Sequence, residues 1–269
     1  MSSNPVSSDS EAAFDGDPIV AETFVRQIRY HEIIDSTNNA AFDDCQVDDL
    51  QTPLLVLAAC QTAGRGRGSN PWWSARGALT FSLVIRPADL GLGEQRWPQA
   101  SLTTGLAVCF ALDQLLPDDD VLLKWPNDVY VRQRKVAGVL VEVGPRPTGT
   151  LVIGIGVNGN NSVEAAPAEL RSNATSLVEV TGQEFDLSRI LIGILQQLET
   201  QLARLSNDDA GLAADWQQRC TLVGKTVQID VANGHTKGVC QGIDAEGALV
   251  VQTVDGPARF FSGIVAGVW

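Results

Sequence analysis

The sequence is poor in several residue types, and each shortage excludes a class of protein. Its five cysteines are odd in number and form no CxxC pair, so we expect reduced thiols and neither a disulfide framework nor a zinc site. The two histidines, His31 and His235, lie far apart in sequence, which disfavours a histidine-based metal site. No apolar run approaches the ~18 residues of a membrane-spanning helix, and the first residues include no basic or apolar targeting segment. We therefore expect a cytoplasmic protein without a membrane partner.

Basic residues are also scarce. The chain has 19 Lys and Arg residues against 32 Asp and Glu residues, and its formal net charge is −13. Such a surface repels nucleic acid, because binding to nucleic acid draws its affinity from clustered Lys and Arg. Nucleic acid is therefore not an expected partner. A local basic cluster in this chain instead indicates a small anion, such as a phosphate or a carboxylate.

The pattern along the 269 residues, 44% of them hydrophobic, divides the chain into three parts. Residues 1–20 are rich in Ser, Asp, Pro and Ala without periodicity, which predicts a disordered tail. Residues 21–220 combine apolar strands with helical patterns and include an antiparallel meander over 121–158. Residues 221–269 contain four or five short strands separated by NG, EG and DG turns, as in a small β-barrel. The prediction is an α+β fold with a mixed or antiparallel sheet and packing helices, followed by a small β-barrel.

Two glycine motifs resemble nucleotide-binding loops without their structural context. The segment GIGVNG (154–159) matches GxGxxG and follows a strand, but a dinucleotide-binding loop must open a helix, and Pro167 follows within a few residues. The segment VGKT (223–226) lacks the first glycine of a P-loop and precedes a strand. We interpret both as ordinary parts of strands and turns.

The segment QTAGRGRG (61–68) places Arg65 and Arg67 between glycines, in a loop that joins two core strands. Glycine allows the backbone to wrap closely around a ligand, so both guanidinium groups and the nearby N–H groups can converge on one anion. A flexible basic surface loop is the alternative interpretation of this segment alone.

A second basic cluster follows from LKWPND (123–128) and Lys135. A hairpin would bring Lys124, Asn127, Asp128 and Lys135 into one neighbourhood. An ordinary turn would explain Asn127 and Asp128 after Pro126, but it would not explain two lysines on apolar strands.

In combination, five segments resemble those of the biotin protein ligases. They occur in the order DSTN (35–38), QTAGRGRG (61–68) with Trp72, KWPND (124–128), RKVAGVLVE (134–142) and GIGVN (154–158). The resemblance runs from about residue 28 to the end. It implies a catalytic domain like that of the class II synthetases over 21–220 and an SH3-like domain over 221–269.

The chain departs from this family in two respects. The amino-terminal helix-turn-helix of the bifunctional ligase-repressors has no counterpart, so the resemblance implies a ligase without a DNA-binding function. Ile264 occupies a position at which many relatives have a glutamate, so the small domain presents an apolar side chain where those relatives present a charged one.

The resemblance also implies a reaction. ATP and biotin are the substrates and Mg²⁺ is the metal: the biotin carboxylate attacks the α-phosphate, which gives biotinyl-5′-adenylate and pyrophosphate. A lysine of a biotin carboxyl carrier protein, from acetyl-CoA carboxylase or a related carboxylase, then accepts the biotinyl group. Fixed cations would offset the repulsion between the two anions. A monomer and a homodimer are both compatible with this reading.

The site residues follow from the same resemblance. The expected catalytic residues are Lys135, Arg65, Arg67 and Asp128, and Asp128 is also the expected ligand of Mg²⁺. The expected biotin-binding residues are Ser36, Thr37, Asn38, Gln61, Gly64, Arg65, Trp72, Lys135, Gly138 and Gly154. The expected ATP-binding residues are Arg65, Arg67, Trp72, Lys124, Asn127 and Asn158, with Asn158 facing the adenine.

Two alternatives remain. A lipoate or octanoate ligase would share the fold, but KWPND, GRGRG and the small barrel together favour biotin. A non-catalytic biotin sensor would not require Lys135, so the presence of this residue favours an enzyme.

Overall fold

The computed structural model describes residues 14, 16–47, 49–68, 70–145, 149–232 and 234–269. The predicted disordered tail over 1–20 was wrong for residues 16–20, because they belong to a helix over Gly16–Glu22. Ile19 on this helix is fully buried in the main hydrophobic core. Bonds from Arg189 to the Glu22 carboxylate and from Gln196 to the Glu22 carbonyl, both at 3.0 Å, hold the end of this helix as well. The rest of the predicted tail, 1–13 and 15, lies outside the described residues.

Seven helices and twelve strands form the described part of the chain, together with short 3₁₀ segments. The helices are α1 Gly16–Glu22, α2 Thr37–Asp44, α3 Ala100–Asp113, α4 Ala168–Arg171, α5 Leu177–Thr181, α6 Leu187–Ser206 and α7 Ala210–Arg219. The strands are β1 Gln27–Ile34, β2 Leu54–Gln61, β3 Leu79–Ile85, β4 Val121–Lys124, β5 Asp128–Val131, β6 Arg134–Val143, β7 Leu151–Val157, β8 Thr226–Val231, β9 Gly234–Ile243, β10 Leu249–Thr253, β11 Gly256–Phe260 and β12 Ile264–Val268.

The first seven strands form one mixed sheet in the order β1-β2-β3-β7-β6-β5-β4. Strands β1 and β2 are parallel, whereas β4 to β7 form the antiparallel meander predicted from sequence. The central strands β2, β3 and β7 are almost wholly buried, which agrees with their continuous apolar sequences because strands covered on both faces have no solvent side. The predicted α+β class is confirmed.

The two faces of this sheet are covered differently. Side chains alternate along a strand, so Phe81 and Leu83 of β3 point into the large core with helices α3 and α6. On the opposite face, α2 packs over Val56 and Val84. This second face is only partly covered by α2, and its uncovered part forms the floor of the cleft described below.

The last five strands form a separate antiparallel sheet in the order β11-β10-β9-β8-β12. Two bonds dock this sheet beside the first: Trp125 Nε1 donates to the Gly247 carbonyl at 3.2 Å, and Gln99 Nε2 donates to the Ala245 carbonyl at 3.3 Å. Both acceptors lie in the turn between β9 and β10, so this turn is held against Gln99 and Trp125. The domain boundary near residue 221 remains a prediction.

Candidate functional site

One cleft brings together motifs that lie far apart in sequence. It is bordered by the start of α2, the loop after β2, the turn between β4 and β5, and the middle of β6 and β7. Twelve of the predicted site residues line it: Ser36, Thr37, Asn38, Gln61, Arg65, Arg67, Trp72, Asn127, Asp128, Lys135, Gly138 and Gly154. Gly64, Lys124 and Asn158 stand just outside this lining.

The first residues of α2 form the polar end of the cleft. Ser36 is the N-cap of α2, and Gln61 Oε1 accepts from the Thr37 backbone N–H at 2.6 Å and from the Thr37 hydroxyl at 3.0 Å. Thr37 and Gln61 are both buried. The side-chain amide of Gln61 is therefore oriented, with its Nε2 group on the side opposite to the bonded oxygen. This end of the cleft presents a fixed pattern of donors and acceptors.

Sequence reasoning missed Ser82, which supports this polar end from below. Ser82 on β3 is fully buried, and its hydroxyl lies 2.8 Å from Thr37 Oγ1 and 2.5 Å from Asn38 Oδ1. A serine inside an otherwise apolar buried strand was the available signal, because buried polar groups require partners.

Glycines make room for the side chains on the cleft floor. A Cβ atom on Gly154 would lie 2.2 Å from Asn38 Oδ1, and one on Gly156 would lie 2.3 Å from the Trp72 ring. Gly156 pairs with Gly138 across β6 and β7, so the ring rests on a patch without side chains. A Cβ on Gly64 would lie 2.5 Å from the Trp72 carbonyl oxygen. The glycines of GIGVN therefore serve close packing, which agrees with rejecting a dinucleotide loop.

A β-bulge directs Lys135 into the cleft. The register between β5 and β6 shifts so that Ala137 pairs with Val129 and Lys135 pairs with Tyr130, which leaves Val136 as an extra residue. Val136 and Ala137 are both buried in the core. Bulges commonly redirect a side chain near a functional site. Without the extra residue, Lys135 would lie on the face opposite to Gly138.

Lys135 is held between a carboxylate and an aromatic ring. Its Nζ atom lies 2.6 Å from Asp128 Oδ1 and 5.7 Å from the centroid of the Trp72 ring. Burial lowers the pKa of neighbouring Lys124, and the negative charge of Asp128 opposes this shift. Lys124 Nζ lies 3.4 Å from the Tyr130 hydroxyl. The predicted neighbourhood of basic residues thus forms around Asp128.

The glycine-arginine loop directs its two arginines to different partners. Hydrogen bonds close the loop from Gly66 N–H to Asn70 O at 2.8 Å and from Trp72 N–H to Gly64 O at 2.9 Å. Arg65 forms an ion pair with Glu142, whereas Arg67 donates to the carbonyl of Gly263, before β12, at 2.9 Å. The two guanidinium groups do not share one partner here, although both line the cleft. Burial lowers the pKa of Arg67.

Asn127 and Asn158, which we expected to bind ATP, both donate hydrogen bonds to backbone carbonyls of the protein. Asn127 Nδ2 donates to the Val139 carbonyl at 2.6 Å, which fixes the turn before β5. Asn158 Nδ2 donates to the Thr175 carbonyl at 3.0 Å. Asn158 lines a second, smaller pocket together with Trp72, Lys135 and Leu170. Trp72 and Lys135 line both this pocket and the cleft.

Asp128 is the single acidic side chain that lines the cleft among the described residues. Mg²⁺ is usually held by one or two carboxylates together with substrate phosphates, so this donor set fits Mg²⁺ bound with a nucleotide. Groups of three or more metal-ligating side chains are absent from the described part of the chain.

Every helix among the described residues is too short or too polar to cross a membrane.

The chain matches two known protein families over most of its length. Residues 30–160 match the Biotin/lipoate A/B protein ligase family, and residues 222–266 match the Biotin protein ligase C terminal domain. Together with the fold and the cleft, these matches define a protein ligase of the biotin and lipoate type.

Individual relatives narrow this class. The sequence is 36% identical over 200 residues to the biotin--[acetyl-CoA-carboxylase] ligase of Mycobacterium tuberculosis, covering 73% of this chain and 72% of that one. It is 30% identical over 261 residues to the bifunctional ligase/repressor BirA of Bacillus subtilis, covering 95% of this chain and 77% of that one. The chain belongs to the biotin protein ligase family.

The fold agrees with this assignment. The biotin protein ligase of Aquifex aeolicus, solved in complex with biotin and ATP, superposes with a TM-score of 0.76 at 28% identity, covering 88% of this chain and 97% of that one.

Proposed function

We propose that this protein activates biotin with ATP to biotinyl-5′-adenylate and transfers the biotinyl group to a lysine of a biotin carboxyl carrier protein. The observation that carries the proposal is the cleft itself, in which the fixed Thr37–Gln61 pair and the Lys135–Asp128 pair line the same cavity. The Thr37–Gln61 pair can form hydrogen bonds with a neutral polar ring. The ammonium group of the Lys135–Asp128 pair can stabilise the negative charge of the reacting groups.

Thr37 and Gln61 would bind the ureido ring of biotin. Their hydrogen bonds fix which groups point into the cleft, and a buried polar pattern of this kind rejects ligands that leave its groups unpaired. The Trp72 ring would pack on the apolar part of biotin. This arrangement supports biotin rather than lipoate, which has no ureido group, and the match of residues 222–266 to the Biotin protein ligase C terminal domain supports the same choice.

In the first step, a biotin carboxylate oxygen would attack the α-phosphorus of ATP while the bond to the β-phosphate oxygen breaks and pyrophosphate leaves. Lys135 would lie beside the carboxylate and the α-phosphate, and its charge would stabilise the negative charge in the transition state. Arg67 would bind the phosphate from the loop side, and Lys124 would add positive charge behind Asp128.

When Mg²⁺ is bound, it supplies further positive charge to the phosphate oxygens, and Asp128 is the residue that would hold it. Asp128 also orients Lys135, as their 2.6 Å separation indicates. The second pocket, lined by Asn158 and Trp72, would accept the adenine.

In the second step, the amine of the carrier lysine would attack the carbonyl carbon of the mixed anhydride. AMP would leave with the bonding electrons, and the amine would lose its proton. The glycine-arginine loop, over 61–68, would cover the adenylate and exclude water, because a mixed anhydride is prone to hydrolysis. We place this reaction in the cytoplasm and expect no nucleic-acid partner, given the formal net charge of −13.

A biotin sensor without catalytic activity is the second candidate. Its retention of biotin would require Thr37 and Gln61 but no lysine at the point where the carboxylate meets the phosphate. The redirection of Lys135 by a bulge, at the expense of regular strand pairing, favours an enzyme.

The test is incubation of the protein with ATP, Mg²⁺, biotin and a biotin carboxyl carrier domain, followed by intact mass measurement. We expect the carrier to gain one biotinyl group only when all components are present. A parallel reaction with lipoate separates the two ligases, and a carrier with its acceptor lysine replaced by arginine is the matched control. An unmodified carrier, in an assay in which an established ligase modifies it, would refute the proposal.

A further inference from the structure

Glu142 on β6 binds two groups that belong to different parts of the cleft. Its Oε2 atom accepts from Asn38 Nδ2 at 2.9 Å, and its Oε1 atom forms the ion pair with Arg65 NH2. Asn38 belongs to the polar end of the cleft at the start of α2, and Arg65 belongs to the glycine-arginine loop. A single carboxylate therefore joins two segments that are separated by β2.

We propose that Glu142 is a positioning residue that couples the biotin end of the cleft to the position of the glycine-arginine loop (61–68). This inference rests on the proposed function, since it assigns to Glu142 a part in holding biotin and its adenylate. Glu142 does not line the cleft itself. It acts through Asn38 and Arg65 and is not a catalytic residue.

The side-chain amide of Asn38 is fixed at both of its polar atoms. Its Oδ1 atom lies 2.5 Å from the Ser82 hydroxyl, and its Nδ2 atom donates to Glu142. Gly154 leaves the space for this amide, because a Cβ there would lie 2.2 Å from Asn38 Oδ1. Removal of Glu142 leaves Nδ2 without its acceptor, and the amide then gains freedom next to Thr37.

Arg65 is anchored in a similar way. Its NH1 atom donates to Asn39 Oδ1 at 2.6 Å, while NH2 pairs with Glu142. Asn39 is itself held by a bond from its Nδ2 atom to Asp35 Oδ2 at 2.7 Å. Through these contacts, Arg65 joins its loop both to α2 and to β6.

The position of Glu142 on its strand makes this link possible. Side chains alternate along β6, so Glu142 points to the same face as Gly138 and Leu140, both of which line the cleft. Its side chain is 27% exposed, and a partly buried carboxylate binds donors more strongly than an exposed one. The competing explanation is an ordinary surface ion pair, which contributes little on its own.

Two substitutions separate the two contacts. Glu142→Ala removes both acceptors, whereas Glu142→Gln keeps one acceptor oxygen for Asn38 and places a second N–H donor group against Arg65. We expect Glu142→Ala to weaken biotin binding by about tenfold, as for loss of a hydrogen bond to a charged group. Glu142→Gln should bind biotin nearly as the wild type does but should release adenylate faster, because Arg65 then keeps only its bond to Asn39.

The matched control is Glu246→Ala, which removes one carboxylate from the ion-paired cluster with Arg259 on the other sheet. Biotin binding is measured by calorimetry, adenylate release by trapping of the released compound, and melting temperature by fluorescence. We expect the two alanine variants to melt alike and only Glu142→Ala to lose affinity. The effect of Arg65→Ala on adenylate retention should be smaller in the Glu142→Ala background than in the wild type.

The outcomes distinguish this inference from the proposed function. A wild type that binds biotin but forms no adenylate refutes the function, while calorimetry still reports on the Glu142–Asn38 link. An active wild type, with Glu142→Ala and Glu142→Gln both within twofold of it in binding and release, refutes the inference. Additive losses from Arg65→Ala and Glu142→Ala also refute it, because the two residues would then act independently.

Discussion

The ammonium group of Lys135 lies 2.6 Å from the carboxylate of Asp128, on neighbouring antiparallel strands. Regular pairing would not produce this contact, because Asp128 pairs with Gly138, three residues beyond Lys135. The extra residue Val136 turns Lys135 to the cleft side. A buried or partly buried charge is costly without a counter-charge, and Asp128 supplies one before any anionic ligand is bound.

Replacement of Lys135 by alanine should affect chemistry more than binding. The attraction between Lys135 and the reacting groups increases as charge develops in the transition state. We expect Lys135→Ala to slow adenylate formation on the order of 10²-fold or more and to weaken biotin binding much less. Pyrophosphate release in a single turnover measures the first quantity, and calorimetry measures the second.

Lys237→Ala is the matched control, because Lys237 is an exposed lysine on β9 that contacts the Trp269 ring. Asp128→Ala should slow the same step, and the two losses should not add if Asp128 acts through Lys135. Near-normal adenylation by Lys135→Ala would show that the residue has only a structural role at the start of β6.

The pH dependence of the KM for ATP should show whether Lys124 attracts the phosphates of ATP. Burial lowers the pKa of Lys124 below its ordinary value of 10.5, so the amine loses its charge at a lower pH than an exposed lysine does. Attraction of the phosphates then weakens as pH rises through this lowered pKa. We expect the KM for ATP of the wild type to increase in the alkaline range.

Lys124→Arg should flatten that increase, because guanidinium remains charged throughout this range. The two proteins differ only in the side chain at position 124, so the difference between their profiles isolates Lys124. Steady-state KM values from neutral pH to about pH 10 provide the comparison. Identical slopes in the two proteins would mean that Lys124 does not meet the phosphates.

Arg67 should determine how long the adenylate is retained. Its guanidinium links the glycine-arginine loop to the Gly263 carbonyl at the second sheet and carries a positive charge into the cleft. Arg67→Ala should therefore release biotinyl-5′-adenylate, which then labels exposed lysines of unrelated proteins.

Incubation with a bystander protein, followed by detection of its biotin, measures this loss of retention. Arg76→Ala is the control, because Arg76 is an exposed loop arginine paired with Glu32. Bystander labelling at the wild-type level would contradict the assigned role of Arg67.

The glycine floor of the cleft should tolerate no side chain beneath Trp72. A methyl group on Gly156 would lie 2.3 Å from the ring, so Gly156→Ala should displace Trp72 and lower biotin affinity. Gly193→Ala is the control, since no atom outside the adjacent helix backbone lies within 4 Å of the added methyl group on α6. This control should increase stability by roughly 0.5–1 kcal/mol without affecting binding. Equal affinity for the Gly156→Ala variant and the wild type would show that the ring is not part of the biotin site.

The sequence by itself determined the class of fold and most members of the cleft. Continuous apolar runs identified β2, β3 and β7, because strands buried on both faces have no solvent-exposed positions. An aspartate before an apolar helical pattern is a local signal for a helix start, and the Asp186 carboxylate does accept from the N–H groups of Ser188 and Arg189 at the start of α6. The motifs around Arg65, Asp128 and Lys135 place basic residues in a glycine loop and on apolar strands. In a chain with a formal net charge of −13, such basic clusters indicate a binding site for an anion.

Only the tertiary structure decided how these residues are paired. The bulge at Val136 depends on the register between β5 and β6, which no local pattern specifies. The link from Asn38 through Glu142 to Arg65 spans 104 residues between its first two members, and the bond from Arg67 to Gly263 spans 196. Side-chain partners at such separations are set by strand order and packing, whereas sequence patterns report only the local backbone and its buried face.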